Sequence, residues 1–418
     1  MKVLVLAPQV PWPPRQGTAI RNFHVARQLA ERHQVTLLAF GEPATADDPL
    51  RAAGARVVSV PPPPARSTRR RLVELLVDPW PDLAQRLRSA AMDDALAAEL
   101  RALRVDGGPD VVQIEGLEMA PFALRALLRL PAAPSGRPRL VYDGHNAEWL
   151  LQRRAWRADL GRPAAWHGAL YSLVQTAKLR RFERRLLRAC DAVVAVSRAD
   201  AEAMRVLAPH ADIEVVPNGV DTRHYAAADP ERSEPDLCVF TGKMDFRPNI
   251  DAMVWFARHV WPAVRAARPA ARLEIVGRDP TAAVRALEGR GVQVTGTVTD
   301  VRTYLERAAV VVAPLRVGGG TRLKVLEAMA AARAVAATSL AVEGLDLRPE
   351  SELLVADAPD RLAAGVCALL ADPVRRAALG RHARARVERD YRWETLVPRI
   401  ERLYRAEPIT GGRGAQLP

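Results

Sequence analysis

Cysteine is scarce in this chain: three in 418 residues, Cys190, Cys238 and Cys367, far apart and without a C-x-x-C pair. That spacing excludes a disulfide framework and a zinc ribbon, and it fits a reducing compartment. Aromatic residues are only 5% of the chain, and no zinc-finger or RNA-binding aromatic signature occurs, so nucleic acid is not an expected partner. No stretch reaches the ~18 apolar residues that a membrane span requires. The opening MKVLVLAPQVPWPP has a short apolar run, ends in prolines and lacks a small-residue cleavage site. It therefore reads as a buried strand rather than a signal peptide. The expected location is the cytoplasm, extended to peripheral attachment at the inner face of the plasma membrane. Also missing are D-x-D, H-E-x-x-H and the Walker G-x-x-x-x-G-K-[ST], so metal-assisted phosphate chemistry lacks its usual residues and no metal or other cofactor is expected.

What the chain does have is apolar content, 49%, and a length too great for one ordinary domain and comfortable for two. Short apolar, β-branched runs recur at Val3–Leu6, Val35–Phe40, Arg56–Val60, Val111–Ile114, Leu140–Tyr142, Ala192–Val196 and Ile213–Val216. Helical patterns such as Ile20–Arg32, Ala120–Leu130 and Ala199–Leu207 follow most of them. Continuous apolar strands alternating with amphipathic helices predict a parallel sheet covered on both faces. The rhythm restarts at Leu237–Thr241 and runs through Arg272–Val276, Val292–Thr295, Val310–Pro314, Ala334–Ala337 and Leu353–Val355. Two α/β modules follow, divided near Pro217-Asn218-Gly219-Val220-Asp221: 1–218, then 219–392. A helical stretch at 393–408 is expected to cross back toward the first module, and 409–418 to be a disordered Gly-rich tail. Two regions break the alternation, a stiff basic excursion from Pro61 through Arg71 and a long helical insertion, Glu148–Arg188.

In open parallel sheets ligands bind beyond the carboxyl ends of strands, where helix N-termini point outward. The segment Gly318-Gly319-Gly320-Thr321-Arg322-Leu323-Lys324-Val325-Leu326-Glu327 follows such a strand. Its glycines permit close backbone approach to a phosphate, and Arg322 and Lys324 place cations where a helix N-terminus disfavours them. A bound anion would remove that conflict, and Glu327, one turn deeper, is suited to ribose hydroxyls. Thr241 through Asn249 follow the first strand of the second module. There Gly242 permits close approach, and Lys243 and Arg247 are candidates for diphosphate oxygens, Arg in bidentate fashion. Arg247 and Asn249 also suit a plain helix start. In the first module, Gly17 lies in the turn before a helix. His145 in Asp143-Gly144-His145-Asn146 sits at a strand's carboxyl end, placed to hydrogen-bond a hydroxyl or polarise a leaving group. Asn146 is expected to cap the following helix.

The formal net charge is +13, and residues 151–200 alone hold eleven Lys/Arg against four Asp/Glu. Arg153, Arg154 and Arg157 lie beside Trp149 and Trp156, and Lys178, Arg180, Arg181, Arg184, Arg185 and Arg188 form a second cluster. Indoles with cations suit an anionic membrane surface, although Arg180–Arg188 is expected to reach all faces of its helix. A solvated helix is the competing reading.

Together these motifs resemble family 4 of the retaining glycosyltransferases, whose GT-B fold has two Rossmann-like parallel-sheet domains facing a cleft. The resemblance covers nearly the whole chain and is nearest to the exopolysaccharide-type sugar transferases, through P-x-P-P-x-x-G near the start and G-G-G-T-R-L-K-V-L-E-A-M-A near the end. It implies a nucleotide-diphosphate sugar bound by the second domain and a sugar or lipid-linked acceptor on the first. It also implies metal-independent, hexosyl-type transfer in polysaccharide or glycoconjugate synthesis. Of the family's two glutamates seven residues apart, the second maps to Glu327 and the first to Gly319. Of its Arg and Lys pair, the Arg maps to Lys243 and the Lys position holds Pro248, so Arg322, Lys324 or Arg247 would supply the missing cation. Backbone N–H groups of Gly318, Gly319, Gly320 and Thr321 would stand in for the missing glutamate. The alternatives are a nucleotide-sugar epimerase of the same fold, using Glu115 and Asp143 as acid and base, and a non-catalytic sugar-nucleotide or membrane-binding protein.

Overall fold

A computed structural model describes residues 1–14, 17–43, 45, 47–105, 108–129, 137–160, 166–318 and 322–405. The chain divides into two compact units. One comprises Met1–Ala195, Asp200–Val216 and the residues from Val397 on, and the other Val196–Ala199 and Pro217–Leu396. The chain passes from the second unit to the first inside the helix Trp393–Arg402. The tail expected at 409–418 lies outside the described residues.

The first unit is built on seven parallel strands: β1 Lys2–Ala7, β2 Gln34–Phe40, β3 Arg56–Val60, β4 Val111–Glu115, β5 Arg139–Gly144, β6 Ala192–Ala195 and β7 Ile213–Val215. Their order is β3-β2-β1-β4-β5-β6-β7. The order reverses direction at β1, so the loops after β1 and β4 diverge and leave room for ligands at their carboxyl ends. The strands are apolar because helices cover both faces of a parallel sheet. Leu4, Leu6, Leu38, Ile114, Phe122 and Tyr142 are all buried in its core. The second unit has six parallel strands: β8 Leu237–Thr241, β9 Arg272–Val276, β10 Val292–Gly296, β11 Val310–Ala313, β12 Ala334–Ala337 and β13 Leu354–Val355, in the order β10-β9-β8-β11-β12-β13. Its switch point lies between β8 and β11, the two strands whose following loops carry the second unit's motifs.

The irregular regions resolve into helices. The basic excursion after Pro61 is the helix Thr68–Val77, which buries none of its own residues. The insertion is a helical pair, Glu148–Leu160 and Trp166–Ala189. Asn146 does not cap the first of these: its Nδ2 donates to the Glu148 carboxylate at 3.1 Å. The buried Glu183 carboxylate caps instead, accepting the N–H groups of Glu148 at 3.0 Å and Trp149 at 2.9 Å, and Asp200 accepts from the Ala147 N–H. Its two oxygens satisfy two orphan donors, which a single amide oxygen cannot match.

Candidate functional site

The second unit brings together most of its sequence-chosen residues. Gly242 follows β8. A side chain there would approach within 2.8 Å of the Asn249 amide nitrogen and 3.0 Å of Lys324 Nζ, so only glycine leaves those groups in place. Asn249 lies in the first turn of the helix Arg247–His259. It donates to the Lys243 carbonyl at 2.8 Å and accepts from Lys324 Nζ at 2.7 Å, which ties the loop after β8 to the helix Leu323–Ala330. Lys324 Nζ also stands 4.0 Å from the centroid of the Phe240 ring. Burial pulls the Lys324 pKa down to about 7; neighbouring Arg322 adds to the fall, and Glu327 opposes it. Burial pushes Glu327 above the ordinary carboxylate range, against the hydrogen bond it receives from Tyr225 and the charge of Lys324. Tyr225 is in turn driven up by burial and by that carboxylate.

The remaining cations differ in their commitments. Arg322 is buried, with Nε donating to the Leu340 carbonyl at 3.2 Å and Nη2 to the Gly318 carbonyl at 3.0 Å. The reading of Arg322 as a first-turn cation aimed at phosphate therefore needs amending: it precedes the helix and braces the loop. Gly318 has φ +107°, and a Cβ would meet Pro248 at 2.9 Å, so glycine lets the backbone pack against that proline. Lys243 is half-exposed and ion-paired with Asp245 at 2.8 Å. Arg247 opens its helix on the surface. Gly319, Gly320 and Thr321 lie outside the described residues.

In the first unit, β4 and β5 carry a buried polar cluster. His145 Nε2 shares a hydrogen bond of 3.1 Å with Glu115 Oε2. Glu115 Oε1 accepts from Gln113, whose amide oxygen accepts from the Tyr404 hydroxyl. Arg21, in the helix Gly17–Ala30, grips both Asp143 oxygens at 2.9 Å and reaches the Val216 carbonyl at 3.2 Å. Burial lowers the His145 pKa, but the Glu115 hydrogen bond and the charges of Asp143 and Glu115 outweigh it, so the imidazole is held above its ordinary value. Glu115 is itself raised, by burial and by Asp143. The ligand atoms of Glu115, Asp143 and His145 lie within 4.8 Å of one another, close enough for a metal ion. Arg21 already supplies the positive charge that an ion would bring, through a bidentate pair. The same pair ties up Asp143 as an acid or base, which weighs against the epimerase alternative. Gly17 stands at the first turn of its helix after β1.

Sequence reasoning missed Tyr225, Gln113, Arg21 and Tyr404. Gln113 was legible in principle, since with Glu115 it puts two polar residues two apart in an otherwise apolar strand. Tyr225 and Tyr404 carry no such signal, because each meets its partner only through the fold.

A Gly, Lys and Glu cluster at the switch point of a parallel sheet is the kind of site where an anionic ligand binds. The model described as "Glycosyltransferase Family 4" matches residues 15–224, and that described as "Glycosyl transferases group 1" matches residues 235–372. The chain belongs to glycosyltransferase family 4. It is 30% identical over 235 residues to a GDP-mannose-dependent monoacylated alpha-(1-6)-phosphatidylinositol monomannoside mannosyltransferase of Corynebacterium glutamicum. The match takes in 48% of this chain and 58% of that one. Among solved structures it is similar to sucrose-phosphate synthase from Thermosynechococcus elongatus, at TM-score 0.67 and 17% identity, covering 97% of this chain and 98% of the other. It is also similar to Anabaena HepE in complex with UDP and glucose, at TM-score 0.63 and 16% identity, covering 96% and 98%. WaaG, a glycosyltransferase involved in lipopolysaccharide biosynthesis, aligns at TM-score 0.59 and 16% identity, covering 99% and 100%. These likenesses show the GT-B fold.

Proposed function

We propose that the protein transfers a hexosyl group, with retention, from a nucleotide-diphosphate sugar to a hydroxyl of a sugar or lipid-linked acceptor in polysaccharide or glycoconjugate synthesis. The observation that carries this reading is the enclosed Lys324, held by Asn249 against Gly242 with Glu327 one turn on. A buried lysine, whose charge is costly to hold, gains most from an incoming diphosphate. Glu327, oriented by Tyr225, suits the ribose hydroxyls. The leaving diphosphate is stabilised by Lys324 and the helix N-terminus, so the reading requires no metal. His145, hydrogen-bonded to Glu115, would serve a sugar hydroxyl. GDP-mannose dependence in one relative and UDP bound in another make both bases candidates. A thermal-shift panel of UDP, GDP, ADP and their hexose conjugates tests this: one diphosphate series should raise the melting temperature, by mass action on the native state. No shift with any of them, and no release of sugar from any conjugate, sinks the transferase reading.

We further propose that a lipid-linked acceptor is met at an anionic membrane surface. On the helix Trp166–Ala189 the exposed residues Trp166, Leu170, Leu173, Ala177, Arg181, Arg184 and Arg188 recur at spacings of three and four, forming one stripe that runs from apolar to basic. The expectation that Arg180–Arg188 reaches all faces is thus corrected: these arginines share the exposed face. The helix Thr68–Val77 adds exposed Leu72, Val73, Leu76 and Val77 next to Arg69–Arg71. Two sequence-chosen members drop out. Lys178 caps that helix, donating to the Leu75 and Asp78 carbonyls at 2.5 and 2.6 Å. Trp149 is buried, with Arg153 and Arg180 over its ring at 5.9 and 5.5 Å. No helix among the described residues is long and apolar enough to cross a membrane. Co-sedimentation with phosphatidylglycerol liposomes at low and high salt tests the surface: binding should be salt-sensitive and should fall in Arg181→Gln/Arg184→Gln/Arg188→Gln. Absence of binding at low salt rejects it.

A further inference from the structure

The helix Pro373–Asp390 packs on the end of the helix Leu323–Ala330, which carries Lys324 and Glu327. Gly380 and Arg384, one helical turn apart and so on one face, make the contact. At Gly380 a Cβ would stand 2.0 Å from the Ala332 carbonyl oxygen, so the two backbones meet there without a side chain between them. The Arg384 side chain is 16% exposed, and its guanidinium reaches three backbone carbonyls. Nη1 donates to Ala330, the last residue of its helix, and to Tyr225 at 2.5 Å; Nη2 donates to Thr222 at 3.0 Å. Nε pairs with Glu388 at 2.7 Å. Thr222 and Tyr225 belong to one turn. It is closed by the Tyr225 N–H on the Asp221 carbonyl at 2.9 Å, and by Asp221 Oδ1, which accepts the N–H groups of Arg223 and His224. A further tie runs from the Ala228 N–H to the Ala331 carbonyl at 3.1 Å.

We infer that Arg384 is a positioning residue for nucleotide recognition: one guanidinium fixes the separation between the turn that carries Tyr225 and the helix that carries Glu327, and so aims the Glu327 carboxylate at the ribose. The inference rests on the reading that Glu327 takes ribose hydroxyls, and it adds what holds that carboxylate in place. A glutamate side chain is flexible, and each hydroxyl it binds must offset the freedom it loses. The hydrogen bond from Tyr225 removes part of that freedom before the ligand arrives. It does so only if the phenol oxygen stands at a fixed distance from the helix. The Tyr225 ring packs against the core, and Arg384 holds its main chain. The Ala330 carbonyl is an unpaired acceptor at a helix C-terminus, where a cation is favoured in any case. That alone would not require the guanidinium to reach Thr222 and Tyr225 as well. Reaching all three couples the turn to the helix, and the planar fork of arginine suits this where the point charge of lysine does not.

Calorimetry with UDP, GDP and ADP and with their 2′,3′-dideoxy counterparts tests it. The diphosphate that binds the wild type should bind about tenfold more tightly than its dideoxy form, and Glu327→Ala should erase the difference. Arg384→Met should reduce the preference about threefold while leaving the dideoxy affinity at the wild-type value, and Tyr225→Phe should do the same. The double variant should lose no more than either single one, because both changes act on one contact. Arg384→Lys keeps the charge but not the fork and should behave as Arg384→Met does; with Tyr225→Phe it carries the test if Arg384→Met does not fold. An undiminished ribose preference in the Arg384 variants overturns the inference. So do additive losses in the double variant, and equal losses for both nucleotide forms, which would make Arg384 a support of the fold alone. A wild type that binds both forms equally, or binds none, overturns the ribose reading of Glu327 and the inference with it, an outcome distinct from failure at Arg384 alone.

Discussion

Lys324 is where charge and enclosure meet most sharply. With burial drawing its pKa down to about 7, roughly half the molecules near neutrality carry it uncharged. A bound diphosphate favours the charged form, so binding takes up a proton. Titrating the preferred nucleoside diphosphate at pH 8 in buffers of different ionisation enthalpy should reveal net proton uptake. Lys324→Met should abolish it and weaken the diphosphate far more than the nucleoside. Equal heats in all buffers would show that Lys324 does not face the diphosphate. Glu327→Ala should cost ~1–3 kcal/mol of nucleotide affinity by leaving ribose hydroxyls unpaired, and Tyr225→Phe should cost less, since it removes only the group that orients the carboxylate. In the first unit, His145 owes its raised pKa to Glu115 and Asp143 against the effect of burial. Glu115→Gln should therefore lower the His145 pKa, read directly from its ring carbon shift against pH. An unchanged titration would mean the imidazole is held by something other than this carboxylate.

Among the elements, the helix Thr68–Val77 is held in an unusual way. It buries no residue of its own, so packing contributes little and polar ties do most of the work. Lys178 closes its C-terminal carbonyls, and Arg66 joins Glu74 at 2.6 Å and Asp82 at 2.9 Å. Lysine at a helix C-terminus also complements the dipole. Lys178→Met should speed amide exchange across 68–77 while leaving the melting temperature within a degree or two, because local opening here lies far below global unfolding. If exchange is unchanged, the cap is not what holds the helix. The contrasting case is Glu148–Leu160, capped by the enclosed Glu183. Its sequence suggested a local cap by Asn146; the actual cap comes from a residue 35 positions away.

At the scale of the whole molecule, the Glu183 and Glu148 shifts in the first unit and the Lys324 shift in the second have opposite signs. Burial first, and Glu148 among other charges, raise Glu183 from 4.5 to about 8. Burial first, and then Glu118, raise Glu148 to about 7. A raised carboxyl contributes stability that is present below its unfolded pKa and is lost as pH rises through the folded value. The first unit should therefore weaken from about pH 4.5 to about pH 8. The second unit carries the depressed Lys324, which binds fewer protons folded than unfolded between about 7 and 10.5, so its stability should rise over that window. Calorimetric scans at pH 5.5, 7 and 8.5 should show the transition of the first unit moving down as pH increases, relative to that of the second. A single transition that is flat across this range would contradict the assignment.

Periodicity and apolar runs sufficed for both parallel sheets, because a strand buried on both faces must be apolar throughout and that constraint is written locally. The loops proposed to face a ligand were picked out for the same local reason: glycines and cations clustered just after strands, as at Gly242, Gly318 and Lys324. Partnerships over long separations were not legible. Arg21 with Asp143, Tyr404 with Gln113, Tyr225 with Glu327, and Glu183 with the N-terminus of a distant helix each join residues that no spacing connects. The exposed stripe of Trp166–Ala189 also emerged only in three dimensions, since exposure belongs to what the rest of the chain leaves uncovered. Local pattern determines which element a segment becomes; the tertiary structure decides which side chains share an enclosed space, and therefore which charges are shifted and which hydrogen bonds remain for a ligand.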